Sequence, residues 1–219
     1  MTPAISVTGL SKRFGGGPSV LHRTEMRAAG GHLTLVVGSP GSGRTTLARC
    51  LSGVYRPDDG SISLGLGSRG SVDLTAVGPR TLAWLRARQL AAFDGALAAA
   101  PTLTAGAAVA RAASSTHGAA VAGLGRLGAE SLAHIPLGRL RDSQRHTVAL
   151  AATLLADRPF VVLDEPERYA SAPELACWLQ QLATGGAAVV ATGAADSSLR
   201  SIASAVGDLR EGVITWQTT

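Results

Sequence analysis

Two kinds of apolar pattern alternate along the chain, short runs that suit strands and wider spacings that suit helices. Residues 4–8 alternate as a strand, and residues 33–37 (LTLVV) form an apolar run that stops at Gly38. A glycine-rich stretch follows, after which residues 45–51 read as a helix and residues 61–64 as another strand. In residues 80–90 (RTLAWLRARQL), Leu82, Leu85 and Leu90 fall at helical spacing. Residues 96–128 are rich in Ala and Gly, with breaks at Pro101 and Gly118, and predict short helices forming a subdomain. The last third predicts a helix over 144–156, a strand over 160–163, a helix over 174–183 and a strand over 187–191. Residues 15–17 and 65–71 read as loops, and neither an internal repeat nor a disordered linker is visible.

Such β/α alternation predicts an α/β domain with a mostly parallel central sheet. A chain of 219 residues suits one domain, taken here as 1–219 with a helical subdomain over roughly 80–145. With three Phe, three Trp and two Tyr, the core must be built from Ala, Val and Leu. Cys50 and Cys177 lie far apart without a CxxC pair, which predicts two buried, reduced thiols instead of a zinc site or disulfide. The formal charge of +5 raises the question of a nucleic-acid partner, but the arginines are scattered and not interleaved with aromatics, which argues against one. No apolar run reaches the roughly 18 residues of a membrane span, and the first residues lack the order of a signal peptide. The expected location is cytoplasmic, with peripheral attachment at the inner face of the membrane as the variant.

Chemistry concentrates first at Gly38-Ser39-Pro40-Gly41-Ser42-Gly43-Arg44-Thr45-Thr46, which follows an apolar strand and opens a helix. That is the context of a phosphate-binding P-loop. Glycines let the backbone N–H groups turn inward around a phosphate, and the helix N-terminus adds partial positive charge. Thr45 occupies the position whose hydroxyl ligates magnesium. Arg44 stands where the motif calls for lysine and offers a planar fork in place of a compact ammonium. The second concentration is Phe160-Val-Val-Leu163-Asp164-Glu165-Pro166, an apolar strand ending in two carboxylates. A capping role for these carboxylates is the plain alternative.

With Leu140-Arg-Asp-Ser-Gln-Arg-His-Thr-Val-Ala-Leu-Ala151 lying at the spacing of an LSGGQ signature segment, the chain resembles the ATP-binding-cassette (ABC) ATPases over nearly its whole length. The resemblance implies a P-loop NTPase fold with an antiparallel β portion beside the central sheet, and ATP with Mg2+ as cofactors. It implies that Asp164 holds magnesium through water, that Glu165 polarises the attacking water as the catalytic residue, and that Phe14 stacks on adenine. Several positions depart from the family pattern. Arg141, Asp142 and Ser143 replace Ser-Gly-Gly, where Asp142 would bring an anion to a phosphate-docking segment; the alternative is that Asp142 and Ser143 cap the following helix and never meet ATP. Asp94 stands in for the Q-loop glutamine, Gly193 replaces the switch histidine, and Glu167–Ser171 (ERYAS) does not match the D-loop.

Among family members the chain is similar to the accessory ABC protein of the carbon-phosphorus lyase system, on Leu10-Ser-Lys-Arg-Phe14, the turn at Tyr55–Gly60, Val72-Asp-Leu74 and Pro101–Thr104; lipoprotein-release ATPases share some of these features. The expected function is binding of Mg-ATP with slow or absent hydrolysis. Two alternatives stand beside it: an active subunit energising a membrane permease or a phosphonate-lyase complex, and a cassette-shaped partner that binds no nucleotide. A different P-loop enzyme, such as a small-molecule kinase, is disfavoured by the gap-free distance from Leu140 to Asp164. A homodimer or a heterodimer with another ABC subunit follows from the resemblance in either active case.

Overall fold

The computed structural model describes residues 2–95 and 97–217. In chain order its elements are β1 (Ala4–Arg13), β2 (Ser19–Ala29), β3 (His32–Val37), α1 (Arg44–Leu51), β4 (Asp59–Gly65), β5 (Ser71–Asp73), α2 (Pro79–Arg88), β6 (Leu90–Phe93), α3 (Ala105–Ala113), α4 (His117–Arg126), α5 (Asp142–Leu155), β7 (Phe160–Leu163), α6 (Ala172–Thr184), β8 (Ala188–Gly193), β9 (Ala205–Arg210) and β10 (Val213–Trp216).

Strands β3, β7 and β8 are buried almost throughout because both faces of their sheet are covered. The sheet runs β10-β9-β3-β8-β7-β6, parallel except for the β9–β10 hairpin. On one face Leu35, Val37, Val161, Leu163 and Val189 pack with α3, α4, α5 and α6. On the other, Val36, Val162 and Val190 pack with Leu47 and Leu51 of α1 and with Ile5, Val7, Ile62 and Leu64 of a second sheet. That second sheet, of order β2-β1-β4-β5, is antiparallel. The alternation of odd and even residues between two cores is the strand period at work.

Three local expectations change. Leu90 does not extend the helix; α2 stops at Arg88 and Leu90 pairs with Phe160 as the first residue of an edge strand. Gly118 does not break a helix but lies in the first turn of α4, whose N-cap Thr116 accepts a hydrogen bond from the Ala119 N–H at 3.2 Å. Cys50 is buried as expected, whereas Cys177 is exposed on the outer face of α6. Ala96, the first residue of the Ala/Gly-rich stretch, lies outside the described residues. Among the described residues no helix is long and apolar enough to cross a membrane.

Candidate functional site

Parallel register brings the chemistry to one edge. Val37 lies opposite Gly193, and Leu163 lies opposite Ala191, so the phosphate loop after β3, the carboxylates after β7 and the end of β8 converge at the C-terminal ends of adjacent strands. In open α/β sheets this edge is where ligands bind. The loop itself depends on glycine in two places. Gly43 has φ +105, and a Cβ there would stand 2.9 Å from the Val20 carbonyl oxygen. A Cβ on Gly38 would meet the Ser42 Oγ at 2.5 Å. That Ser42 hydroxyl is buried with no partner among the described residues, an orphaned donor in the middle of a loop shaped for an anion.

A cavity of about 410 Å³ opens beside the loop, lined by Gly41, Gly43, Arg44, Thr45 and Thr46 on one side and by Glu165 and Arg168 on the other. A second, of about 550 Å³, shares Val20, Pro40 and Gly41 with it and continues past Ser39 and Ser42 to Gly212. The two lie side by side along the loop as a trough, each within the size range of small-molecule sites.

Arg44 is the most consequential residue in the trough. Its side chain is 8% exposed, and its Nη2 lies 2.7 Å from Glu165 Oε1. Its Nη1 donates to the Gly193 carbonyl oxygen. The departures from the sequence motifs at 44 and 193 therefore meet in space, because the longer guanidinium crosses from the loop to the ends of β7 and β8. The other Glu165 oxygen, Oε2, lies 2.8 Å from Arg168 Nη1, so both carboxylate oxygens are held by guanidinium groups. Hydrogen bonding to Glu165, reinforced by its charge, holds the Arg168 pKa above the ordinary arginine value.

Glu165 is also strained. It sits in the left-handed region at φ 47, ψ 51, where a residue with a Cβ is uncommon. Buried Thr192 fixes this turn: its hydroxyl accepts from the Glu165 N–H at 3.0 Å and donates to Asp164 Oδ1 at 2.7 Å. Asp164 is thereby oriented at the end of β7 while Thr45 stands exposed at the start of α1.

The space around Gly193 is filled by other side chains. The Glu167 carboxylate accepts from the Ser197 hydroxyl, the Ser198 hydroxyl and the Ser198 N–H. A Cβ on Gly193 would stand 3.0 Å from both Ser197 Cβ and Oγ and 3.3 Å from Glu167 Oε2. Motif spacing alone does not single out Thr192, Glu167, Arg168 or Ser197. Glu167 and Arg168 lie in the unmatched ERYAS segment, and that mismatch is the one signal of them in the sequence.

Other expected site residues lie away from the trough lining. Phe14 is 45% exposed in the β1–β2 connection, its ring edge-on to Tyr55 at 5.3 Å with Lys12 Nζ 5.4 Å from its centroid. Asp94 is exposed just after β6, and a Cβ on the following Gly95 would meet the His146 ring at 3.0 Å. Arg141, Asp142 and Ser143 are exposed at the start of α5. The cap of this helix differs from the expected one. Gln144 closes this end by accepting from the Arg141 N–H at 2.9 Å, while Asp142 pairs with Arg145 one turn on. The hydrogen bond from Arg145 holds the Asp142 carboxyl below the usual range. His146 stacks on Tyr169 at 4.6 Å, and the Tyr169 carbonyl accepts from the Thr147 hydroxyl at 2.8 Å, tying α5 to the segment after β7.

Comparison with known proteins agrees with this geometry. Residues 21–168 match the family model described as ABC transporter. The phosphonates import ATP-binding protein PhnC 1 of Natronomonas pharaonis is 34% identical over 168 residues, 73% of this chain and 71% of that protein. The ribose import ATP-binding protein RbsA 1 of Rhizobium meliloti is 33% identical over 186 residues, 80% of this chain but 35% of that protein. The chain thus spans about a third of the length of several relatives it matches. Among solved structures, a dimeric post-hydrolysis state of an ATP-binding cassette bound to ADP and Pi superposes with a TM-score of 0.83 at 16% identity, covering 98% of both chains. The relatives' names range over phosphonate, ribose and Fe(3+) import and macrolide export, so the likeness fixes the cassette and not its cargo. On its P-loop, the carboxylates after β7, the fold and these matches, the chain belongs to the ABC transporter family of ATP-binding proteins.

Proposed function

We propose that residues 1–219 act as one cassette that binds Mg-ATP in the trough beside the phosphate loop and hydrolyses it slowly or not at all. The observation that carries this reading is the Arg44–Glu165 ion pair at 2.7 Å inside the phosphate cavity. The backbone N–H groups of Gly41, Gly43, Arg44, Thr45 and Thr46, residues that line this cavity, fit a phosphate, and the buried Ser42 hydroxyl lies within the same loop. Thr45 and Asp164 would hold magnesium, which when bound neutralises phosphate charge. To accept a proton from an attacking water, Glu165 must first leave one of its two arginines. To serve a phosphate, Arg44 must leave Glu165 and the Gly193 carbonyl. Position 193 meanwhile supplies no side chain toward the reacting phosphate, and each lost contact to transition-state charge costs roughly 3 kcal/mol.

The exposed start of α5 does not line the chain's own phosphate cavity, which supports pairing with a second cassette that closes the site. Asp142 makes a symmetric pair the costlier arrangement, since an anion about 4 Å from a phosphate charge costs on the order of a few kcal/mol where water is partly excluded. A heterodimer with an intact ABC subunit, attached to a permease or a phosphonate-processing complex, is the assembly that fits.

Calorimetric titration with ATP and magnesium, followed by phosphate release from wild type and Glu165→Gln, tests the reading. Saturable binding with release at least about 100-fold below the ~10 s⁻¹ typical of enzymes is expected, and lower still in the variant. No binding at millimolar ATP would overturn nucleotide binding, and release near the typical rate would overturn slow turnover.

A further inference from the structure

We propose that Arg168, in the segment that does not match the D-loop, is a phosphate-binding residue that recognises the terminal phosphate of a nucleoside triphosphate. The proposal rests on the nucleotide-binding reading and deepens it. Arg168 closes a 3₁₀ turn, Pro166–Arg168, that begins directly after Glu165, and it lines the same cavity as Gly41, Gly43 and Thr45. One carboxylate lies between two guanidinium groups there, with Arg44 at 2.7 Å from one oxygen and Arg168 at 2.8 Å from the other. A point where two guanidinium forks converge on an anion inside a glycine-lined cavity is a site for an oxyanion, and a phosphate matches the fork as a carboxylate does.

The two arginines are not equivalent. Arg44 is 8% exposed and tied to the Gly193 carbonyl, so it is fixed in place. Arg168 is 68% exposed, and among the described residues its one ion-pair partner is Glu165, three residues earlier in the chain. An exposed pair of this kind contributes little to folding, so Arg168 can exchange the carboxylate for a ligand oxygen at small cost. Position then sets selectivity. The loop N–H groups are available to a diphosphate as well as a triphosphate, whereas Arg168 belongs to the wall formed after β7 and is reached by a phosphate that extends beyond the loop. The arginine thus restores on the triphosphate a positive charge that neither Gly193 nor the pre-engaged Arg44 supplies.

The experiment is calorimetric titration of the full chain, as wild type, Arg168→Ala and Arg168→Lys, with Mg-ATP and separately with Mg-ADP. Arg168→Ala is expected to weaken ATP at least 10-fold and ADP less than 3-fold, with Arg168→Lys recovering part of the loss for ATP. Because the side chain is exposed, the variants are expected to melt within a few degrees of wild type, and a thermal melt checks this. Equal weakening of ATP and ADP, or no weakening of either, overturns the role of Arg168 while leaving nucleotide binding intact. Absence of binding by wild type overturns both.

Discussion

The site is decided by single residues whose neighbours do not follow from motif spacing. Arg44 is legible as an arginine in a lysine position, but its target is not, because the partner carboxylate lies 121 residues later in the chain. Removing it leaves Glu165, 24% exposed, with one partner fewer in a partly dry cavity. Arg44→Ala should therefore lower stability by about 2–3 kcal/mol, read as a shift in the urea midpoint at constant m-value. Gly193 looks like a missing histidine in the sequence, yet its surroundings have closed over the position. Gly193→His should destabilise the fold by about 1–3 kcal/mol, through the contacts its Cβ makes with Ser197 and Glu167, and should not raise phosphate release. A gain in release from that single change would show that the loop after β8 adapts freely. The cysteines separate in the same way. Burial pushes the Cys50 thiol up to about 11, while Cys177 is exposed. Native protein at pH 8 should react with one equivalent of a thiol reagent, at Cys177, and with a second only after unfolding.

Elements covered on both faces are the legible ones. β7 is an unbroken apolar run, β3 and β8 are apolar but for His32 and the buried Thr34 and Thr192, and α1 follows a glycine turn, so the strands carrying the site can be placed from the residue pattern alone. β2 cannot, for a physical reason. Arg23 takes φ 45 within it, and the buried residues change phase from Leu21 to Thr24 and Met26, which erases the period of two. β9 is as long as β3 but is only partly buried and carries Asp208 and Arg210, so it is recognisable only by its partner β3. The turn after α1 contains a testable electrostatic link. Asp58 accepts from the Arg13 N–H at 2.6 Å and pairs with Lys12 at 3.1 Å, joining the turn to the end of β1 next to Phe14. The Arg13 hydrogen bond, with help from Lys12, holds its carboxyl below the usual range. A depressed carboxyl adds stability above its unfolded pKa of about 3.9 and loses it as pH falls through the folded value. Wild type should thus exceed Asp58→Asn in denaturant midpoint at pH 7, and the gap should close as the pH falls below the unfolded value and through the lower folded one; a gap independent of pH would contradict the link.

For the molecule as a whole, sequence and structure agree on the cassette and differ on how its charged groups are paired. The motifs describe a site with a free cation for phosphate and a free base for water. The folded chain instead closes these groups on one another, Arg44 and Arg168 on the two oxygens of Glu165, at the point where three strand ends converge. No spacing rule could reveal that closure, because it depends on the reach of an arginine fork across the sheet edge. On the proposed reading, a triphosphate must displace this carboxylate to engage either arginine. The most direct measurement is the Mg-ATP affinity of wild type against Glu165→Gln by calorimetry in one buffer, since the amide keeps the shape and removes the competing charge. Binding about 5- to 10-fold tighter in the variant is expected, the equivalent of roughly 1–1.4 kcal/mol. Equal or weaker binding would mean that Glu165 does not hold Arg44 away from phosphate.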